Sequence, residues 1–557
     1  MIAKSPANSL AAALAAALLL AILWAFAPIL DNGFVWDDGA NLIAARDHWD
    51  AGLRGSAWAF RTSVAGHYQP LTFLSYQVDA LLSGATPRGV HATQLFLHLL
   101  VTLAVAALAA ELARTPRLEP VEALHGPLFP LLAAALFALA PIRVESVAWA
   151  TERRDLLGAL FTIASVWLYL RGQKQREPRL FGVAILAALA ALSRAQMVLP
   201  LVLLLLDGWP LGRLAAAPSP GWRAGVGLVR EKALLFAIAA ASAAAAMWAQ
   251  AQSGALTALA EHGLPERLVQ AFYGLAFYPP AALLPAGLAG PFLPLYQRPL
   301  PFPFLAPHLL LPALASLTAL VAIGLGRRRA PAVAVASGAY LLLVLPVLGL
   351  AQSGIQLVAD RYAYLATLPL VLLVAAGLAK LFAAARRQPL QLSLLTAAVL
   401  ALLLANTFAT RAQTRVWHDD LSLWRHVLAH SESSLADNNL GQLLGGRGEA
   451  GPALFHLTRC LERSPDYPRP WNGLAALLEA PAPADAPPPA WVAATLARAL
   501  THQPGLPTAR YASALAWLRA GDTTRAELEL KRLLALDPDH DGARLALARL
   551  EARRHQP

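Results

Sequence analysis

Long apolar runs alternate with short, arginine-bearing polar stretches as far as residue 408, and the rhythm then changes. Eleven runs carry few or no charges, near 8–30, 92–112, 128–142, 156–170, 180–193, 196–209, 233–250, 306–325, 331–351, 363–383 and 390–408. Runs of this kind suit helices that cross roughly 30 Å of hydrocarbon. A twelfth apolar stretch, near 270–290, is interrupted by Pro279, Pro280 and Pro285. Both of its flanks must lie on one side of the bilayer, so a re-entrant hairpin or two half-spans, sheltered by protein, is expected there. Ala25-Phe26-Ala27 resembles a signal cleavage site, but the first run exceeds the usual signal core, and a retained helix is expected.

Beyond Arg411 the pattern becomes amphipathic, with prolines between helix-sized segments. Pro504 and Pro538 lie 34 residues apart, and Asn438, Leu440 and Gly441 are echoed 34 residues on by Asn472, Leu474 and Ala475. That is the tetratricopeptide period, in which each helix pair needs neighbours to cover its apolar face. About three degenerate repeats fit between 417 and 554, broken by the Pro- and Ala-rich stretch 480–490; a generic helical bundle is the alternative. The predicted fold is all-α: a polytopic membrane bundle over residues 1–410, with about eleven spans plus a re-entrant segment, then a soluble tetratricopeptide-repeat solenoid over 411–557.

Composition sharpens the membrane reading. Hydrophobic residues make up 57% of the chain and charged residues 14%, against about 25% charged in globular domains. The net charge of +11 sits in short clusters between apolar runs, which suits anionic lipid headgroups rather than a nucleic-acid groove. The single Cys460 excludes an intrachain disulfide and a cysteine metal site. Alternate loops hold Arg114 and Arg117, Arg171 and Arg179, Arg213 to Lys232, Arg327 to Arg329, and Lys380 to Arg387. The positive-inside trend assigns these to the cytoplasm. The chain is therefore expected to be a multi-pass protein of the inner (plasma) membrane, its repeats in the periplasm.

The loops on the other side carry the candidate chemistry. Phe34-Val35-Trp36-Asp37-Asp38 follows the first span, and one carboxylate of such a pair has a raised pKa suited to a general base. A helix N-cap is the plainer reading. Arg143, Glu145, Glu152, Arg153, Arg154 and Asp155 crowd the second loop, against the loop-charge trend. Arginine forks hold phosphate well; internal salt bridges, such as Glu145 with Arg154, are the alternative. Asp360-Arg361-Tyr362-Ala363-Tyr364 repeats the choice at a third span end, between a phosphate site and an Asp–Arg pair fastening a helix. His67, His91 and His98 lack metal-ligand spacing and, taken singly, read as structural.

Together these motifs resemble the transmembrane and tetratricopeptide-repeat O-mannosyltransferase-like family, of bacterial type, within the GT-C glycosyltransferases. The resemblance rests on Trp36-Asp37-Asp38, His67-Tyr68-Gln69-Pro70-Leu71-Thr72, Gly89-Val90-His91 and Val144-Glu145-Ser146-Val147-Ala148-Trp149. It continues in Glu152-Arg153-Arg154-Asp155, Leu206-Asp207-Gly208-Trp209-Pro210-Leu211, Glu231-Lys232 and Asp360-Arg361-Tyr362-Ala363-Tyr364-Leu365. It implies a GT-C-like bundle moving a sugar from a polyprenyl phosphate to an acceptor hydroxyl with inversion, with no cofactor or metal. Asp37 falls on the family's base, with Asp38 beside it. Tyr68, His91, Arg143, Glu145, Arg153, Arg154, Asp155, Arg361 and Tyr362 are the implied substrate-binding residues. The family's His-Pro-x-His is replaced here, with Ala140 and Arg143 at the histidine positions. The implied partners are the lipid-linked sugar, membrane lipids and an acceptor protein or peptide held by the repeats. A non-catalytic scaffold that recruits envelope proteins, a flippase of lipid-linked sugars, and transfer to a glycolipid are the rival readings.

Overall fold

A computed structural model describes residues 6–49, 52–84, 86–175, 179–195, 197–215, 221–254, 257–284, 288, 290–299, 301–352 and 354–554. It is helical almost throughout and falls into two compact units, Met1–Asp419 and Asp420–Pro557. The last apolar helix, Pro389–Val416, runs past the boundary expected at 410–411.

Among the described residues, seven helices of the first unit are long and apolar enough to cross a membrane, and a pair bent by 62°, Leu128–Ala138 with Pro141–Ala148, forms a broken span or a re-entrant loop. Three shorter apolar helices, Leu180–Ser193, Leu199–Gly208 and Pro331–Val347, complete the set. Each of the eleven predicted runs falls on one of these. The protein is thus a multi-pass membrane protein. Many of its helices begin with proline in the first turn, as at Pro70, Pro87, Pro307, Pro331 and Pro389, where the missing N–H costs no hydrogen bond. Leu103, Phe181, Leu325 and Phe408 point outward and are exposed; on a soluble surface such side chains would be a liability, and on a span they meet lipid.

The stretch expected to hold a re-entrant hairpin or two half-spans is described over 270–284, 288 and 290. A single helix, Leu264–Leu283, passes through Pro279 and Pro280; Pro285 lies outside the described residues. Proline at 279 removes the N–H that would pair with the carbonyl of Leu275, and the Tyr340 hydroxyl donates to that carbonyl instead, at 2.9 Å. Along its length the helix meets one segment: Arg267 donates to the Leu350 carbonyl, Gln270 to Gln352, and the Tyr278 hydroxyl accepts from Ala359 N–H. A short antiparallel ladder, Tyr296–Gln297 with Gln356–Val358, adds the chain after this helix to that stretch.

Residues 31–91 build a small core of their own, in which Leu42, Trp49, Phe73, Tyr76 and Val90 pack on Ala150. In the second unit, antiparallel helix pairs begin at Ser434, Pro470 and Pro507, and a last helix at Asp541. The echoed triplets fall in the first helices of successive pairs. The stretch 480–490 does not end the array: one continuous core runs from Leu454 through Trp471, Leu496 and Leu515 to Leu550. It lengthens a turn inside the second pair. Cys460 is buried in this unit and free.

Candidate active site

The acidic pair is split by its backbone. Trp36 takes a φ of 52°, a left-handed conformation that is strained for a bulky residue. Its ring lies flat against that of Trp149, with centroids 4.8 Å apart and planes 5° from parallel, which holds the strained turn. Asp38 consequently turns inward and is fully buried, whereas Asp37 stays exposed. Asp38 accepts hydrogen bonds from Val35 N–H at 3.0 Å, Thr151 N–H at 2.8 Å and the Thr151 hydroxyl at 2.6 Å. Burial pushes its carboxyl up to about 7 against the pull of those three donors, and the neighbouring Asp37 charge adds to the rise. Tyr76 and Gln94 donate to the carbonyls of Ala150 and Trp149. The two loops are thereby fixed to each other and to the helices beneath them.

Next to Thr151, three arginines from three parts of the chain converge. Arg154 grips Glu152 with Nε and Nη2, at 3.0 and 2.5 Å, and Arg361 Nε approaches the same carboxylate at 3.4 Å. Arg361 also donates to Glu145 through its backbone N–H at 2.6 Å and Nη1 at 2.5 Å. Arg194 pairs with Asp155, which accepts from Ser146 as well. The Arg361 guanidinium lies over the rings of Trp149 and Tyr362, so Trp149 is shared between the acidic loop and the arginine cluster. Asp155, Arg194, Arg361 and Tyr362 line a cavity of about 50 Å³. Arg154 is buried, and its Nη1 has no hydrogen-bond partner among the described residues. Leaving such a donor unmet is costly. Among the described residues no group of His, Cys, Asp or Glu is placed to hold a metal ion.

Not every predicted residue joins this site. Arg143 is fully buried and donates to the carbonyls of Phe137, Ala363 and Tyr364 and to the Thr367 hydroxyl. Four of its five N–H groups are thereby spent on the fold, which removes it from the phosphate candidates. Arg153 points away from Arg154, to Asp79, Gln94 and the Val90 carbonyl. His91 is buried against Phe34 and bonds the Gly33 carbonyl through Nε2. Tyr68 donates to the Phe60 carbonyl and meets the edge of Trp248. The salt bridge foreseen between Glu145 and Arg154 is made instead between Glu145 and Arg361.

The sequence reading missed Arg194 and set His67 aside. Arg194 stands in the very short break between two apolar helices, where a charge is costly, and that was its signal. His67 closes a tight turn through Ala65 and Gly66, both at positive φ, by pairing with Val64. Burial first, and then the charge of Arg154, push its imidazole well below the usual range, so it is neutral at pH 7. Asp360 is buried, accepts from the Tyr296 hydroxyl at 2.9 Å, and is pushed upward by burial and by Glu145.

Comparison with known proteins agrees with the family that the motifs resemble. The chain is 31% identical over 171 residues to the protein O-mannosyl-transferase Tmtc1 of Drosophila melanogaster, covering 29% of this chain and 19% of that one. It is 32% identical over 167 residues to TMTC4 of Mus musculus, covering 28% and 22%. With Tmtc2 of Drosophila melanogaster the identity is 32% over 157 residues, covering 27% and 16%. The matched stretch spans about a fifth of the length of these relatives. No family model matches the chain, and no solved structure does.

Proposed function

We propose that this protein is an integral-membrane glycosyltransferase that moves a sugar from a polyprenyl phosphate to a serine or threonine hydroxyl of an exported protein. The observation that supports this reading best is the linkage through Asp38. Its buried carboxyl holds Thr151, so the exposed Asp37 is carried next to the residues that gather Arg154, Arg194 and Arg361. A carboxylate open to solvent beside a partly buried cluster of cations is what a base and a phosphate-leaving group need together. The relatives are named protein O-mannosyl-transferases, which supports sugar transfer to a protein hydroxyl.

In the proposed reaction the acceptor O–H gives its proton to the Asp37 carboxylate while its oxygen bonds to the anomeric carbon. The bond from that carbon to the phosphate oxygen breaks on the opposite face, and its electron pair leaves with the polyprenyl phosphate. Arg154, with an Nη1 already lacking a partner, and Arg361 and Arg194 beside it, stabilise the charge that develops. Trp149 and Tyr362 frame the same space. No further cofactor enters the scheme, because the lipid phosphate is the leaving group. The C-terminal repeats, of tetratricopeptide type, retain the acceptor chain, and the loops that carry the site face the periplasm from the inner membrane.

The test is Asp37→Asn in the full chain. Removing a positioned base costs roughly 10²- to 10⁴-fold in rate, so sugar transfer should fall by that factor while polyprenyl phosphate still binds. Undiminished transfer in the Asp37→Asn, Asp38→Asn double variant would sink the reading.

A further inference from the structure

The acidic loop is fastened to the end of the last apolar helix, Pro389–Val416. Asn32 donates to the Thr414 carbonyl at 3.2 Å, and Gly33 N–H donates to the His418 carbonyl at 2.9 Å. Between these two ties stands Trp417, which is fully buried. Its ring lies against Trp149, with centroids 5.6 Å apart and planes 26° from parallel, and Trp149 in turn lies flat on Trp36. The indole N–H groups of Trp149 and Trp417 are both buried without a hydrogen-bond partner among the described residues. That is a cost, and it shows that these rings are placed by their faces rather than by their donors.

We propose that Trp417 is a positioning residue for the Asp37 carboxylate, an inference that rests on Asp37 being the base. Trp417 touches no reacting atom. It acts through Trp149 on Trp36, whose left-handed backbone sets the direction of the carboxylates that follow it. The strain of such a φ at a bulky residue is comparable with what a single aromatic pair returns. The contact between Trp36 and Trp149 therefore only balances that strain, and Trp417 supplies the backing that fixes Trp149 in place. The arginines have anchors of their own. Arg154 is held by Glu152, Arg194 by Asp155, and Arg361 by two hydrogen bonds to Glu145. Loss of the Trp417 ring should thus displace the base and spare the phosphate site.

Transfer rates and prenyl phosphate affinity in the folded full-length protein test this. Trp417→Ala should lower kcat about ten- to hundred-fold, the scale of an ångström-sized misplacement, with prenyl phosphate affinity unchanged. Trp417→Phe keeps a flat ring and discards the unmet N–H, so it should restore most of the rate. Because Trp417 acts only through the carboxylate, Trp417→Ala added to Asp37→Asn should cost nothing beyond Asp37→Asn alone. A parent-like kcat in Trp417→Ala, or losses that multiply in the double variant, overturns the proposal. Fluorine NMR of protein labelled with fluorotryptophan gives a readout apart from activity, the Trp36 resonance being assigned through Trp36→Phe. Trp417→Ala should shift or broaden that resonance, and Trp417→Phe should leave it in place. An unmoved Trp36 resonance in Trp417→Ala overturns the relay whether or not sugar is transferred. If Asp37→Asn transfers at the parent rate while the resonance still moves in Trp417→Ala, the base reading falls and the tie between Trp417 and Trp36 stands.

Discussion

Helix Arg153–Gln175 carries a charged cluster at each end, and the two ends differ in what their charges face. At the far end the Tyr169 hydroxyl donates to Asp207 at 2.6 Å and accepts from Arg213 at 2.7 Å. Arg213 reaches Glu231 at 2.6 Å, and the fully buried Lys232 meets Asp207 at 2.6 Å and Glu231 at 3.1 Å. Each charge there finds its opposite within the cluster, and the pairs tie the ends of neighbouring helices together. At the site end the residue types are similar. There, however, a buried N–H group of Arg154 has no partner among the described residues, and a cavity opens between Arg194 and Arg361. Composition does not distinguish the two ends; the pairing of individual donors does.

The comparison breaks most readily at the far end. Lys232→Met should leave the buried Asp207 with Arg213, at 3.1 Å, as its remaining cation, lowering stability towards the lower end of about 3–5 kcal/mol, with donor affinity unchanged in the folded fraction. Thermal unfolding in detergent reads the first, and prenyl phosphate titration the second. If donor affinity collapses while stability holds, the far cluster is a binding site and the contrast is wrong. At the site end, Arg154→Ala should weaken prenyl phosphate binding roughly ten- to hundred-fold, as expected for a charge-assisted hydrogen bond, and Arg154→Lys should restore only part because an ammonium lacks the planar fork. Arg143→Met serves as the contrast, losing stability without losing phosphate affinity. The smallest effect concerns pH. Asp38 has a folded value of about 7, above its ordinary 3.8, so the folded state holds the proton more tightly. Its contribution is complete below about pH 4 and is lost as pH rises towards 7. Asp38→Asn should flatten that decline in Tm by a few degrees, and an identical pH profile in parent and variant would show that Asp38 does not titrate there.

The spans and the helical repeats were legible because their signals are one-dimensional. A run of apolar residues long enough for the hydrocarbon, or a 34-residue echo, exists before any packing does. Pro279 and Pro280 were harder to read, because a hydroxyl from another helix supplies the partner that Pro279 removes and the helix continues through both. The acidic pair was visible as a pair, yet only the strained turn at Trp36 decided which carboxylate faces in.

What the sequence determined by itself was which segments enter the membrane, and that cations gather where the loop-charge trend disfavours them. The tertiary structure decided which cations remain available. Arg153 and Arg154 are neighbours in sequence, but consecutive residues of a helix point about 100° apart, so one was consumed by Asp79 and Gln94 and the other turned to Glu152. Arg143 and Arg361 sit in similar motifs and reach across more than 200 residues, the first to the carbonyls of Ala363 and Tyr364, the second to Glu145. A guanidinium's partners are set by whatever packing brings within a few ångströms of it, and no local pattern encodes that distance.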